Sequence, residues 1–170
     1  LVLFIGGIID RLDYIENYKG TGPAIRIVDY KTGGKQSDDA KIVSIDDLYD
    51  VEKNKMPKYV LQTFLYSQAI KEEMEGKTVQ YPEIRWADDA HIMPSIIFIK
   101  QCNDAESYDA RIIFGQDMLI DFRDCADEFK KKLSDFLNEE LFNPEKPFEG
   151  TTNDKHCKYC DYRLLCGKKD

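Results

Sequence analysis

Residues 24–34 read Ala-Ile-Arg-Ile-Val-Asp-Tyr-Lys-Thr-Gly-Gly. The run is rich in apolar and β-branched residues, and it lies between the turn-prone residues 19–23 and two glycines, which predicts a β-strand over residues 24–32. Side chains alternate along a strand, so Asp29 and Lys31 leave one face together while Tyr30 points to the other. An acid and an ammonium group therefore share one small site.

A second strand-like segment precedes this run. Residues 3–18 are rich in Ile, Leu and Tyr, and the turn that follows predicts a hairpin between the two segments. Such a hairpin brings Asp10 beside Asp29, and their carboxylate oxygens suit one Mg²⁺ or Mn²⁺ ion. Asp13 falls on the opposite face from Asp10, where Arg11 can pair with it, so we interpret Asp13 as structural.

The two acids and the lysine are the residue types that a metal-dependent hydrolytic site needs. A divalent cation polarises a phosphoryl group and lowers the pKa of bound water, while a lysine orients that water or stabilises developing negative charge. Asp10, Asp29 and Lys31 therefore predict a metal-dependent site for phosphodiester hydrolysis. Taken alone, an Asp-x-Lys pair is equally well explained as a solvated salt bridge at a strand edge.

An amphipathic helix is predicted over residues 57–74, because apolar residues recur there at helical spacing and Pro57 suits a first helical turn. Gln62 and Tyr66 are four residues apart, so both lie on one stripe beside the apolar one and can face a phosphate or the lysine. A helical tyrosine also fits an ordinary core position, and the helix alone leaves both interpretations open.

The remaining pattern predicts an α/β fold. Residues 94–101 and 108–114 are predicted to form a second hairpin, with the first strand central and covered on both faces. Residues 117–142 carry a long apolar stripe and predict the longest helix. The polar residues 35–55 predict a loop with one short helix at 45–51.

Composition limits the setting in which such a site works. The chain has 170 residues, enough for one domain, and 32 acidic against 24 basic residues give a formal charge of -8. This balance argues against a surface built to neutralise many phosphates, so if the protein acts on DNA, something else must hold the DNA. The apolar opening over residues 1–9 is far shorter than the roughly 20 residues that span a bilayer, and we expect no membrane partner.

Five cysteines without a secretory signal indicate a reducing compartment, and the expected localisation is cytoplasmic. Cys157, Cys160 and Cys166 have the short spacings of metal ligands, and either zinc or an iron–sulfur cluster would need a fourth ligand from elsewhere. Cys125 lies on the apolar stripe of the predicted long helix and is expected in the core. Cys102, at the end of a strand, is expected to be free.

Three stretches in order resemble the PD-(D/E)XK nuclease superfamily, and within it the exonuclease domains of the RecB and AddB type. They are Gly7-Ile8-Ile9-Asp10-Arg11-Leu12-Asp13, Ile27-Val28-Asp29-Tyr30-Lys31-Thr32-Gly33 and Gln62-Thr63-Phe64-Leu65-Tyr66. The resemblance implies a restriction-endonuclease-like fold, which is a central mixed β-sheet flanked by α-helices. The tail resembles the Cys-x-x-Cys-x-Tyr-Arg-x-x-Cys signature that closes AddB-type domains.

Carried over residue by residue, the resemblance implies that Asp10 and Asp29 ligate the metal and that the Tyr30 backbone carbonyl adds a ligand. It makes Lys31 the catalytic lysine. Gln62 and Tyr66 match the Gln-x-x-x-Tyr helix of the family. The family commonly carries a further acidic residue or histidine on an upstream helix, and we expect this chain to be an N-terminally truncated piece of a longer protein.

The resemblance also implies a division of the chain. Residues 1–150 are expected to form the nuclease core, and residues 151–170 a cysteine tail that supplies part of an iron–sulfur site to the same domain. In AddB-type domains the first cluster ligand precedes the nuclease motifs. We therefore expect the cluster to be incomplete or absent in this chain, with a tail that is apo, mobile or occupied by a weakly held metal.

The function implied is a metal-dependent DNA exonuclease domain within a helicase-nuclease that acts in double-strand-break repair and recombination. Its expected partners are DNA and the helicase domains or subunit of the parent protein. A catalytically inactive, nuclease-like module that binds DNA ends or a protein is the alternative. A zinc-dependent binding domain built around the tail explains only the last part of the chain.

Overall fold

The structure is a computed structural model that describes residues 6–50, 56–76, 89–103, 108–147, 150–151 and 153–167. Within these ranges the strands are β1 (Arg11–Ile15), β2 (Ala24–Lys31), β3 (Lys41–Ile42), β4 (His91–Phe98), β5 (Ile113–Phe114) and β6 (Asp117–Met118). The α-helices are α1 (Gln36–Asp39), α2 (Lys58–Met74), α3 (Arg123–Asp135) and α4 (Asp154–Cys157). Short 3₁₀ turns cover Ile45–Leu48 and Ile99–Gln101, and a π-helical turn covers Phe136–Leu141.

The principal sheet has the strand order β1-β2-β4. β1 pairs with β2 antiparallel, with Arg11 opposite Val28, so the predicted first hairpin is confirmed. The same register, continued by one residue, places Asp10 opposite Asp29. β2 pairs with β4 in parallel, with Lys31 opposite Phe98. The part of the predicted first strand that falls in residues 1–5 lies outside the described residues.

β4 is the covered strand that the sequence predicts, since all but two of its residues are buried. It begins at His91 rather than at residue 94, and within the described residues β2, not β4, is the middle strand. Pro94 is tolerated because its nitrogen faces away from β2. The neighbouring amides on that side, Ile92 N and Ile96 N, bond to Asp121 Oδ1 and Ala110 O.

The predicted second hairpin, between residues 94–101 and 108–114, is wrong in its main feature. Among the described residues, which leave out 104–107, its antiparallel pairing is limited to one bridge between Ser95 and Arg111. β5 instead forms a second small sheet, parallel to β3 and antiparallel to β6. Gly115 lies in the two-residue connection between β5 and β6. Its φ of 67° is the positive value that a tight hairpin turn requires.

The predicted helix over residues 57–74 is confirmed as α2, which begins at Lys58 directly after Pro57. Its buried residues Val60, Phe64 and Ile70 belong to the main core. Thr63 and Ser67 are buried on the same helix, and their hydroxyls donate to carbonyls one turn earlier. α2 therefore covers the principal sheet without leaving those two hydroxyls unsatisfied.

The long helix predicted over residues 117–142 begins later in the structure than the sequence suggests. Residues 117–118 form β6, and α3 begins only at Arg123, where Asp121 Oδ1 accepts a hydrogen bond from Arg123 N at 3.0 Å. Residues 136–141 continue the helix as a π-helical turn. The apolar stripe is real, since Phe122 and Phe129 pack edge-on against Phe64 with ring centroids 5.1 and 5.6 Å away.

The predicted loop over residues 35–55 contains two short helical segments. The 3₁₀ turn Ile45–Leu48 stands where a helix over 45–51 was expected, and residues 51–55 lie outside the described residues. α1 was missed, because four polar residues have no helical periodicity to detect. The α/β class is confirmed, as two small mixed sheets flanked by helices. Among the described residues, no helix combines the length and apolarity needed to cross a membrane.

Candidate active site

Asp29 lies on the middle strand of the principal sheet and is only 3% exposed. Asp10 lies one residue before β1, on the neighbouring chain segment, and its Oδ2 accepts a hydrogen bond from Tyr30 N at 3.0 Å. The hairpin thus brings the two predicted acids together. The N–H and C=O of a strand residue point to the same edge, so the Tyr30 carbonyl also faces the Asp10 side.

Lys31 is held by groups from two elements. Its Nζ lies 2.5 Å from Asp29 Oδ2 on the same strand and donates a hydrogen bond to Gln62 Oε1 on α2 at 3.1 Å. The lysine side chain is 17% exposed and that of Asp29 is 5% exposed, so this ion pair is largely removed from solvent. The strand-edge salt bridge considered as an alternative for Asp-x-Lys would be solvated, and this pair is not.

Gln62 and Tyr66 extend this arrangement along α2. Gln62 Nε2 donates a hydrogen bond to Tyr66 OH at 3.0 Å, so Lys31, Gln62 and Tyr66 form a continuous hydrogen-bonded chain. Of the two interpretations that the sequence left open, the geometry favours the one in which both side chains face the lysine. A cavity of about 530 Å³ borders Gln62 and Tyr66.

Gly7 was quoted in the sequence motif, but no role was predicted for it. A Cβ placed on Gly7 would lie 2.7 Å from Tyr66 Cε1 and 2.8 Å from Tyr66 OH, so the glycine backbone lies directly against the tyrosine. A side chain at this position would displace the tyrosine ring. The signal was present in the sequence as a glycine three residues before Asp10, but its partner on α2 became visible only in the fold.

The electrostatics of Asp29 follow from its burial. Desolvation raises the pKa of Asp29, the neighbouring Lys31 ammonium opposes that rise, and the charge of Asp10 adds to it. Apart from the ammonium contact, the buried Asp29 Oδ2 accepts no hydrogen bond from the described residues. Among the described residues, the Lys31 ammonium alone compensates the burial of this oxygen, and a divalent cation beside the Asp10 and Asp29 carboxylates would add to that compensation.

These donors fit a divalent cation. Two carboxylates and a backbone carbonyl are the hard oxygen ligands that Mg²⁺ and Mn²⁺ prefer, with waters and substrate oxygens completing the shell. The described residues contain no cluster of three or more His, Cys, Asp or Glu side chains suited to a metal. Within the described part of the chain, further ligands for a cation at the two acids would come from the backbone, with water and substrate.

Asp13 has the structural role predicted for it. Its carboxylate pairs with Arg11 at 2.6 Å and with Arg26 at 2.7 Å, on the face of the hairpin opposite Asp29. Burial alone would raise the pKa of Asp13, but the hydrogen bonds and charges of the two guanidinium groups lower it overall. Asp13 thus ties β1 to β2 and takes no part in the site.

The structure does not bring the tail cysteines together as a metal site. Cys157 ends α4, Cys160 and Cys166 lie in the turns that follow, and the described residues hold no three-ligand group. The donors present among the described residues thus do not fit an iron–sulfur cluster. Cys125 is buried in the core as predicted, and burial raises the pKa of its thiol to about 12.

A mixed α/β core with two acids and a lysine together on one hairpin is typical of metal-dependent nucleases. The family model of the PD-(D/E)XK nuclease superfamily matches residues 2–167, and the chain belongs to this superfamily. Its fold is accordingly restriction-endonuclease-like, and members of the superfamily usually use Mg²⁺ or Mn²⁺. No curated protein and no solved structure is significantly similar to the chain.

Proposed function

We propose that the chain is a Mg²⁺- or Mn²⁺-dependent deoxyribonuclease domain that hydrolyses phosphodiester bonds as an exonuclease of the RecB and AddB type. One observation carries the proposal. The Lys31 ammonium is fixed between the buried Asp29 Oδ2 and the Gln62 amide oxygen, and among the described residues Oδ2 has no partner besides this ammonium. A module that only binds DNA has no need of a desolvated acid–lysine pair.

Asp10, Asp29 and the Tyr30 carbonyl would hold the cation. When bound, a divalent cation supplies positive charge that polarises the scissile phosphate and makes a water easier to deprotonate. Lys31 then has a defined task, because its ammonium orients the attacking water or stabilises the negative charge that develops on the phosphate. Gln62 Oε1 fixes the lysine by accepting a hydrogen bond from its ammonium, and the Tyr66 hydroxyl fixes the Gln62 amide by accepting a hydrogen bond from Nε2.

The wider context is also a proposal. The formal charge of -8 supports an arrangement in which a partner domain delivers the DNA, as the motor of a helicase-nuclease would do in double-strand-break repair and recombination. We propose residues 1–150 as the nuclease core and residues 151–170 as a tail of the same domain, in a cytoplasmic protein. The products would carry a 5′-phosphate and a 3′-hydroxyl. The iron–sulfur role of the tail stays a prediction from sequence alone.

The proposal is tested with linear and covalently closed circular DNA, both single- and double-stranded, incubated with the chain in Mg²⁺ or in excess chelator. We expect linear DNA to be degraded from its ends only when Mg²⁺ is present, and the circles to survive. Cutting of the circles would contradict the exonuclease assignment. No degradation of any DNA in Mg²⁺ or Mn²⁺ would contradict the nuclease assignment and favour the binding module.

A further inference from the structure

We propose that Tyr59 is a positioning residue for the catalytic lysine, with its aromatic ring forming one wall of the site that holds the Lys31 ammonium. The inference rests on the proposed function, in which Lys31 acts in hydrolysis. It concerns a residue that no sequence motif singled out. Tyr59 lies in the first turn of α2, three residues before Gln62.

The distances define the surroundings of the ammonium. Lys31 Nζ lies 2.5 Å from Asp29 Oδ2, 3.1 Å from Gln62 Oε1 and 4.5 Å from the centroid of the Tyr59 ring. A cation within about 6 Å of an aromatic centroid is attracted to the negative face of the ring, and the attraction grows when the pair is desolvated. The lysine side chain is 17% exposed, so this interaction is only partly screened by water.

The Tyr59 ring is itself held in place by the strand next to the lysine. Its centroid lies 6.4 Å from that of Phe98 at an interplanar angle of 56°. Phe98 is fully buried and is the residue opposite Lys31 in the pairing of β2 with β4. The ring therefore sits on a fixed aromatic support, and its position is set by the same strand pair that sets the lysine.

α2 provides two of the side chains that surround the Lys31 ammonium. Residues three apart share a helix face, so Tyr59 and Gln62 approach Lys31 from one side while Asp29 approaches from the strand. The Gln62 amide oxygen accepts a hydrogen bond from the ammonium, and the Tyr59 ring adds a cation–π attraction. Lys58 Nζ also lies near the ring, at 5.4 Å from the centroid, but Lys58 is exposed and farther away. Lys31 is the cation that the ring holds more closely.

The activity test compares Tyr59→Leu with Tyr59→Phe, which keeps the ring. Loss of the cation–π contact should lower kcat on linear DNA in Mg²⁺ by about fivefold in Tyr59→Leu, with KM within about twofold of the wild type. Tyr59→Phe should recover at least half of the wild-type kcat. An unchanged kcat in Tyr59→Leu, or an equal loss in both variants, would overturn the inference. If the leucine variant does not fold, Tyr59→Met fills the space without an aromatic face.

A second measurement does not depend on activity. The measurement is the urea concentration at the midpoint of unfolding. Tyr59→Leu should lower this midpoint by about 0.3 M less in a Lys31→Met background than in the wild type, because the contact between the ring and the ammonium is already absent there. The packing of Tyr59 on Phe98 is removed in both backgrounds and cancels. If Tyr59→Leu lowers the midpoint by the same amount in both backgrounds, the inference is overturned. A wild-type chain that degrades no DNA refutes the proposed function instead, and the positioning of Lys31 by Tyr59 is then decided by the unfolding data alone.

Discussion

Gly7 shows how one residue can control a site from outside it. Replacement of Gly7 by Ala places a Cβ 2.7 Å from Tyr66 Cε1, so the ring has to move and the Tyr66 hydroxyl leaves Gln62. Because a misplaced catalytic group is costly, we expect Gly7→Ala to lower kcat by about tenfold. The measurement is the rate of Mg²⁺-dependent degradation of linear DNA.

Gly6→Ala is the matched control for this variant. A Cβ on Gly6 meets nothing within 4 Å, so its effect on kcat should be within about twofold. Equal rates for the two alanine variants would show that the contact between Gly7 and Tyr66 does not matter for catalysis.

The sequence correctly predicted the relative positions of site residues where these depend on local periodicity. Strand alternation put Asp29 and Lys31 on one face, and helical spacing put Gln62 and Tyr66 on one stripe, as the hydrogen-bonded chain shows. The contact of Tyr59 with Lys31 is different. It depends on how the first turn of α2 packs against β2 and β4, and no local pattern encodes that packing.

The segment between β2 and α1 offers a test at the scale of elements. Gly34 has a φ of 91°, and a Cβ there would lie 2.6 Å from Asp39 Oδ2 and 3.0 Å from Phe98 Cε1. Both the backbone conformation and the close contacts oppose a side chain. Gly34→Ala should therefore lower the free energy of unfolding by about 2 kcal/mol or more, measured by urea denaturation.

The neighbouring Gly33 provides the comparison. A Cβ on Gly33 meets nothing within 4 Å and its φ lies outside the left-handed region, so Gly33→Ala should change the free energy of unfolding by less than about 0.5 kcal/mol. A destabilisation as large as that of Gly34→Ala would contradict the role assigned to Gly34, which is to turn the chain sharply after the lysine.

Elements with a strong period were predicted well, and those decided by non-local pairing were not. α2 was predicted to within a residue of its start, because a helix with a buried stripe has a local signature. β5 and β6 were misassigned, because β5 pairs with β3 rather than with β4 and because β6 directly precedes Leu119, the first residue of the apolar stripe, so the helix was started too early. Strand pairing across the chain leaves no such local signature.

At the scale of the whole molecule, Asp121 joins three parts of the fold. Its carboxylate accepts hydrogen bonds from Ile92 N on β4 and from Arg123 at the start of α3, and His91 Nδ1 lies 3.0 Å away. His91 Nε2 in turn lies 2.9 Å from Thr21 O in the hairpin turn. Loss of this acid should loosen β4, α3 and the hairpin together.

The pH dependence of stability tests this role. Burial would raise the pKa of Asp121, but hydrogen bonds from Arg123, His91 and Ile92 N lower it overall. A lowered folded-state pKa means that the ionised acid stabilises the fold above the unfolded-state pKa, and that this contribution is lost as the pH falls through the folded-state pKa. Asp121→Asn should cost about 2 kcal/mol in the free energy of unfolding near neutral pH.

As the pH falls from about 7 to about 2, the cost of Asp121→Asn should stay constant until the pH nears the unfolded-state pKa of about 4 and should then shrink, because the wild type loses the same contribution. Urea denaturation of both proteins over this range gives the comparison, and Asp29 is present in both and cancels. A difference that is constant or grows in acid would contradict the assignment.

The account as a whole depends on Lys31. The most direct measurement is the initial rate of linear DNA degradation in Mg²⁺ by Lys31→Ala beside Lys131→Ala, whose lysine side chain is 75% exposed on α3 and pairs only with Asp135 among the described ion pairs. We predict a loss of about 100-fold or more for Lys31→Ala and a rate within about twofold of wild type for Lys131→Ala. Equal rates for the two variants would contradict the central claim that the ammonium beside Asp29 takes part in hydrolysis.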